Sequence, residues 1–152
     1  MKSFRLLLLI MAMLLTIPLH ADESGPIAPA RTTAQDWLAI IDAGHYPQSW
    51  QAAAPLFRNA VSQQVWEDKL AGVRGELGEV VTRKFCTATV TQSLPNVPKG
   101  DYVVIKYDTH FENHQQVVET ITTKRSNNGH WEVAGYFIRK WSVDSPSEGP
   151  CQ

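Results

Sequence analysis

The spacing of apolar residues along the chain changes once, near Gly78. Before it, apolar residues recur at the three- and four-residue intervals of an amphipathic helix. After it, β-branched and aromatic residues alternate with polar ones, as in half-buried strands. Helices followed by strands joined through hairpin turns predict the α+β class: N-terminal helices packed on one face of a curved four-stranded antiparallel sheet.

The first helix is predicted after a short leader. Residues 22–31 contain one glycine and two prolines and few apolar side chains, so they are predicted to be flexible. Thr33 and Asp36 resemble a capping box, which predicts that a helix begins there. Gly44 supplies its C-terminal stop. The apolar residues at helical spacing between them are Ala34, Trp37, Leu38 and Ile41.

Two further helices are predicted before Gly78. Pro47 suits the first turn of a short helix, which Pro55 interrupts. The chain then crosses through Leu56 and Phe57 toward Ser62, a favourable N-cap for the third helix. The apolar stripe of this third helix consists of Val65, Trp66, Leu70 and Val73.

Four strands are predicted, at residues 80–92, 102–111, 117–124 and 131–140. The Asn-Asn-Gly sequence at 127–129 is a strong hairpin signal between the last two. One face of the second strand is predicted to contact the helices; its residues are Val103, Ile105, Tyr107, Thr109 and Phe111.

The first 21 residues have the features of a secretory signal peptide. Lys2 and Arg5 precede an apolar run of about a dozen residues, which is shorter than the ~20 that span a bilayer. Ala21 ends a passable cleavage site. We expect cleavage after it, export to the periplasm, a single domain over residues 32–141 and a tail over 142–152; an uncleaved membrane anchor is the alternative.

Export changes the interpretation of the two cysteines, because an oxidising compartment allows thiols to pair. Cys86 and Cys151 are predicted to form one disulfide. In the chain-entropy model, closing a loop of roughly 65 residues stabilises the fold by about 4 kcal/mol. The alternatives are a buried Cys86 with a free Cys151, or a bridge between two chains.

Composition excludes one class of partner. The chain has 14 Lys and Arg against 15 Asp and Glu, a formal net charge of −1. Such a chain has no basic excess to neutralise a phosphate backbone, so nucleic acid is not an expected partner.

Segments in both halves of the chain carry a distinctive order of residues. They are residues 37–46, 49–50, 53–57, 93–95, 100–104, 119–120 and 131–139, together with Trp66, Arg74, Leu77 and Gly78. On these residues the chain resembles the bacterial exported family catalogued as domain of unknown function 4019, over about residues 32–139. The resemblance implies an architecture similar to nuclear transport factor 2-like or cystatin-like domains. That architecture hosts isomerases, dehydratases and binding modules, so it does not select a function.

Glu119 is the candidate for a catalytic carboxylate. It shares a strand face with Val117 and Ile121, and this apolar setting disfavours its charge. Such a carboxylate could be the general base of a small-molecule isomerase or lyase. The alternative is structural pairing with Arg83, Arg74 or Arg139. An arginine bound to Glu119 would argue against catalysis.

His110, Glu112 and His114 alternate along the chain, so in an extended segment they would share a face and could bracket a divalent metal. A solvated turn at the end of a hairpin is the alternative interpretation. No Cys or His cluster has the spacing of a zinc site, so we expect no metal and no cofactor.

Large aromatic side chains could line a ligand cavity, but a domain of this size needs about as many to fill its core. The candidates for ligand binding are Trp37, Trp50, Trp66, Tyr107 and Tyr136, and Phe57, Phe111 and Phe137 belong to the same group. We therefore expect an exported, non-catalytic domain that binds a protein partner, a small ligand or a second copy of itself. An isomerase or lyase using Glu119 and a disulfide-linked structural module are the alternatives.

Overall fold

The structure is a computed structural model that describes residues 25–141 and Cys151. The predicted signal peptide, the first residues of the predicted leader and most of the tail lie outside the described residues.

Within residues 25–141, four helices precede four strands. The helices are α1 (Ile27–Asp42), α2 (Tyr46–Gln51), α3 (Pro55–Ala60) and α4 (Gln63–Leu77), and the strands are β1 (Val80–Thr91), β2 (Tyr102–Phe111), β3 (His114–Arg125) and β4 (Trp131–Lys140). Each strand pairs antiparallel with the next, in the order β1-β2-β3-β4. The predicted α+β class, with a four-stranded antiparallel sheet, is confirmed.

The start of α1 differs from the prediction. The helix begins at Ile27 rather than at Thr33, so residues 27–31, assigned to a flexible leader, are helical. Pro26 and Pro29 are compatible with this position because the first helical turn needs no backbone N–H from them. Ala30 is fully buried in the main core. Packing against the sheet therefore extends the helix beyond what local sequence indicates.

Four helices form where three were predicted. Pro47 lies in the first turn of α2, as predicted. The helix α2 ends at Gln51, before the predicted interruption at Pro55, and Pro55 instead begins α3, whose Phe57 is buried. Ser62 is confirmed as the N-cap of α4, since its hydroxyl accepts a hydrogen bond from the Val65 backbone N–H at 3.4 Å.

The core lies between the helices and one face of the sheet. The predicted inner face of β2 is buried at every position from Val103 to Phe111 that was assigned to it. On α4 the predicted stripe is only half buried: Trp66 and Leu70 belong to the core, whereas Val65 and Val73 are 44% and 39% exposed. Of these two exposed valines, Val73 lies beside β4.

Cys86 on β1 and Cys151 form a disulfide within one chain, so the predicted pairing is confirmed and its two alternatives are not what the structure shows. In residues 25–141, no helix has both the length and the apolar character needed to cross a membrane.

Candidate functional site

Glu119 lies at the centre of a buried ion cluster beneath the helices. It is fully buried on β3. Arg83 Nε of β1 donates to its Oε2 at 2.6 Å, and the hydroxyls of Thr109 and Tyr136 donate to Oε2 and Oε1, both at 2.5 Å. Arg74 Nη2 of α4 lies 3.7 Å from Oε1. Both carboxylate oxygens are therefore occupied by donors from the protein itself.

Asp42, the last residue of α1, extends this cluster toward the surface. Arg74 Nη2 donates to Asp42 Oδ1 at 2.8 Å, and Arg83 Nη1 donates to Oδ2 at 2.7 Å. The positive charges of Arg74 and Arg83 thus balance the negative charges of Asp42 and Glu119. The Arg74 guanidinium also lies 4.9 Å from the centre of the Phe111 ring. The cluster connects α1, α4, β1 and β3.

The proton positions in the cluster follow from burial and charge. Burial raises the pKa of Tyr136 well above its ordinary value, and the neighbouring Glu119 charge raises it further, so its hydroxyl stays a donor. Burial lowers the pKa of Arg83, but its hydrogen bonds to Asp42 and Glu119 outweigh burial, and the net direction is upward. Arg83 therefore keeps its charge.

This geometry leaves Glu119 little capacity for proton transfer. A general base needs an acceptor position that a substrate can reach, and both oxygens of Glu119 are buried and bonded. The predicted structural pairing with Arg83 and Arg74 is confirmed. Glu119 thus meets the condition that argues against a catalytic role.

The aromatic candidates for ligand binding are part of the core. Trp37, Phe57, Trp66 and Tyr136 form a cluster whose contacting ring centres lie 4.9–6.3 Å apart. Their contacts are those of side chains that fill a core.

The polar ends of the three candidate tryptophans also find partners inside the protein. Trp37 Nε1 donates to the Ser49 carbonyl at 2.7 Å, and Trp66 Nε1 donates to Ser49 Oγ at 2.9 Å. Trp50 Nε1 donates to the Val61 carbonyl at 2.8 Å. These N–H groups are therefore used to hold the helices together.

Tyr107, the fifth candidate, packs its ring 6.1 Å from that of Phe85. Its hydroxyl is buried and has no hydrogen-bond partner in the part of the chain that the structure describes. Burial raises the pKa of this hydroxyl.

The predicted metal candidates do not converge. Glu112 Oε2 accepts from the Glu79 backbone N–H at 3.1 Å, and His114 Nε2 lies 3.9 Å from Glu76 Oε1. His110 lies on β2 opposite Thr82 of β1. Across residues 25–141, no group of three or more His, Cys, Asp or Glu side chains could hold a metal ion.

An apolar groove that the sequence analysis did not predict lies between α4 and β4. It has a volume of about 190 Å³, and its lining includes Leu70 and Val73 of α4 and Tyr136, Phe137 and Ile138 of β4. Phe137 is 70% exposed, although it was grouped with the core aromatics. Its strand, β4, is at one edge of the sheet. The predicted order of hairpins places the last strand at an edge, but no sequence signal shows which part of α4 lies beside it, so this groove was not anticipated.

Among the described residues, the edge of β4 beside this groove carries backbone groups without a backbone partner. The Trp141 N–H, just after β4, donates to the Gln116 carbonyl of β3 at 3.1 Å. Backbone groups alternate in direction along an antiparallel strand, and the register from Lys140 to Tyr136 has no bulge. Tyr136, Ile138 and Lys140 therefore direct their N–H and C=O groups away from β3, and within the described chain they have no backbone partner there.

The other half of the same edge is covered. The Ala54 N–H, just before α3, donates to the Val133 carbonyl at 2.8 Å. In the described part of the chain, the free edge therefore consists of the outward backbone groups of Tyr136, Ile138 and Lys140. At its far end, the Lys140 ammonium binds Glu76 of α4. The groove, the exposed Phe137 and this free edge together form the candidate interaction site.

Comparison with known proteins yields one family and a set of structures. The family model described as "Protein of unknown function (DUF4019)" matches residues 33–136. No curated protein matches the chain.

Fifteen chains of solved structures are similar to this one. Among them is a 2.5 Å structure from Catenulispora acidiphila, with 10% sequence identity and a TM-score of 0.51, covering 74% of this chain and 88% of that chain. At such identity the likeness concerns the fold alone. The nuclear transport factor 2-like architecture stays a prediction.

Proposed function

The chain belongs to the DUF4019 family of proteins of unknown function, and from its geometry we propose that it is an exported, non-catalytic domain that binds another polypeptide along the free edge of β4. The observation that carries this proposal is the coincidence of three features: outward backbone groups of Tyr136, Ile138 and Lys140 with no backbone partner among residues 25–141, an apolar groove beside them, and a Phe137 side chain that is 70% exposed.

The non-catalytic part rests on how the buried polar groups are used. Glu119, the best-placed carboxylate, is bound by Arg83, Thr109 and Tyr136. Its charge and that of Asp42 are balanced by two arginines. A cluster paired in this way stabilises one arrangement of elements and has no group poised to exchange a proton with a substrate.

The binding part rests on the chemistry of a strand edge. An extended polypeptide can add to such an edge through backbone hydrogen bonds, while alternate side chains enter a neighbouring pocket. The groove that Val73 and Ile138 help to line is mainly apolar and has a volume of about 190 Å³. Clustered exposed apolar groups of this kind are typical of interaction sites.

Export is proposed from two features. Residues 1–21 have the composition of a signal peptide. The Cys86–Cys151 disulfide is typical of oxidising compartments such as the periplasm.

Selection of peptides from a random twelve-residue library displayed on phage tests the proposal. We expect the protein to enrich sequences in which apolar and polar residues alternate, because only one face of an added strand meets the groove. Phe137→Ser combined with Val73→Ser should abolish their binding.

The matched control is Val81→Ser, which removes a side chain that is 63% exposed on β1, at the other edge of the sheet. Enriched peptides that bind the double variant as well as the unmodified protein would refute the assignment of this site.

A further inference from the structure

We propose that the polypeptide bound at the candidate interaction site carries an Asp or Glu side chain that pairs with Lys69, two positions from an apolar residue that enters the groove. This inference rests on the proposed function, and it names the chemistry of the partner. It follows from the charge of the groove lining and from the direction of α4 relative to β4.

The groove lining carries a positive charge without a partner. Of the described residues that line the groove, only Lys69 is charged. Its neighbours one turn away on α4, at positions 65, 66, 72 and 73, are two valines, a tryptophan and a glycine, and none of them can pair with an ammonium. Within residues 25–141, the Lys69 ammonium forms no ion pair.

The carboxylates nearest to Lys69 in sequence are used elsewhere. The Glu67 and Asp68 side chains accept hydrogen bonds from Gln63 and Gln64, one turn earlier in α4. Residues one or two positions apart on a helix do not face each other, so neither carboxylate shares the groove side of the helix with Lys69.

The other charges next to the groove are already balanced. Lys140, at its far end, binds Glu76. Tyr136, which lines the groove, donates to Glu119, and that carboxylate is also bound by Arg83. The groove is therefore an apolar surface with one uncompensated cation, and a partner that brings a carboxylate complements it.

The helix α4 runs beside β4 in the same direction. At one end the Trp66 ring lies 6.2 Å from the Tyr136 ring, and at the other end Glu76 binds Lys140. A strand that pairs with β4 therefore also runs along α4.

The spacing of side chains along such a strand matches the spacing along the helix. Side chains on one face of a strand repeat every ~6.8 Å, and Lys69 and Val73, four positions apart on α4, are separated by ~6 Å along the helix axis. When an apolar side chain of the partner meets Val73, the side chain two positions away lies beside Lys69. For a partner antiparallel to β4, the expected order is an apolar residue, any residue, and Asp or Glu.

Selection from the random twelve-residue phage library by charge variants of the protein tests the inference. We expect the unmodified protein to enrich Asp or Glu two positions from an apolar residue, and the Lys69→Glu protein to enrich Lys or Arg at that position. The matched control is Lys99→Glu, in the exposed loop between β1 and β2. This variant changes the net charge equally and should select the same sequences as the unmodified protein.

The affinity of one enriched synthetic peptide measures the pair directly. Replacing its acidic residue by the corresponding amide should weaken binding about 2- to 5-fold at low ionic strength, as expected for a partly exposed ion pair. Salt should reduce this difference. Lys69→Met, which keeps an unbranched side chain without the charge, should abolish it. Because the replacement is made in the peptide, the comparison does not depend on the folding of a variant.

Three other outcomes would overturn the inference, and they differ in what they mean for the proposed function. Peptides that need Phe137 and Val73 but show no acidic preference, or keep that preference with the Lys69→Glu protein, would leave the proposed function supported. Self-association through Phe137 and Val73 in place of peptide binding would assign the site to a second copy of the chain. If no enriched peptide depends on Phe137 and Val73, the inference and the proposed function fail together.

Discussion

At the residue scale, the most informative feature is a carboxylate without access to solvent. Removing Glu119 from water is costly, and its contacts with Arg83, Thr109 and Tyr136 offset that cost. Because Arg83 also binds Asp42 at the end of α1, the cluster fixes the position of that helix relative to the sheet. This role in positioning α1 explains why a charged Glu119 is retained in the core.

Substitution of Glu119 by Gln tests this structural role. The change leaves Arg74 and Arg83 with one carboxylate between them, and removing one partner of a buried pair typically destabilises by about 3–5 kcal/mol. We expect a fall of that size in the free energy of unfolding, measured by urea denaturation.

The control for this substitution is Asp68→Asn on the exposed face of α4, which should change stability by less than about 0.5 kcal/mol. If Glu119→Gln kept its stability but lost ligand binding or turnover, the isomerase or lyase hypothesis would regain support.

The partners of Glu119 could be predicted only in part. Alternation along β3 places Glu119 on the buried face, and a buried carboxylate calls for an arginine. The participation of Asp42 has no such signal, because it lies 41 positions from Arg83 in sequence and reaches it only once α1 crosses the sheet. Local pattern indicates which side chain is buried, but not which distant side chain meets it.

At the scale of elements, the end of α4 depends on one glycine. Gly78 caps the helix with φ at +80°. A Cβ atom there would lie 2.9 Å from Glu112 Oε2 and 3.0 Å from Glu112 Cβ. Gly72, inside the same helix, has no atom within 4 Å of the corresponding position. A Cβ atom at position 78 would therefore be too close to Glu112, whereas one at position 72 has space.

Alanine substitution at these two positions should change stability in opposite directions. Gly72→Ala is expected to raise the free energy of unfolding by about 0.5–1 kcal/mol, because alanine favours the helix and restricts the unfolded chain. Gly78→Ala is expected to lower it by about 1–3 kcal/mol, through backbone strain at positive φ and contact with Glu112. Thermal and urea unfolding measure both, and a change of the same sign in the two variants would contradict this account of the helix end.

The elements themselves were predictable to different degrees. The bounds of β2 and β4 follow from alternation alone, because an amphipathic strand shows its buried face in its own sequence. The start of α1 does not follow from local pattern. The residues before Thr33 are helical because Ala30 packs into the core. The helix α3 was missed because Pro55 was interpreted as an interruption, although proline is also suited to a first turn.

At the scale of the whole molecule, the disulfide connects the C-terminal end of the chain to β1. Cys86 and Cys151 are separated by 65 positions, and the loop that they close contains strands β2, β3 and β4. A cross-link of this length restricts the unfolded chain far more than the folded one. Its contribution therefore concerns global stability and the linkage of the tail.

Replacing both cysteines by serine should lower the free energy of unfolding by up to about 4 kcal/mol, the chain-entropy value for a loop of roughly this length. Urea denaturation of the oxidised protein, the reduced protein and the double variant measures the effect. The reduced protein serves as the control, because it lacks the bond but keeps both side chains.

The connectivity is checked by mass spectrometry of peptides under non-reducing conditions. A Cys86 peptide linked to Cys151 of the same chain agrees with the structure. A link between two chains would favour the structural-module hypothesis instead.

The sequence by itself determined the α+β class, most strand bounds, the cysteine pair and the burial of Glu119, because each is written in local periodicity or in a count of residues. Only the tertiary structure decided that Asp42 joins the ion cluster, that Phe137 is exposed and that the outward backbone groups of Tyr136, Ile138 and Lys140 have no backbone partner within residues 25–141. Those properties depend on which elements lie next to each other, and this is determined by the packing of the whole chain.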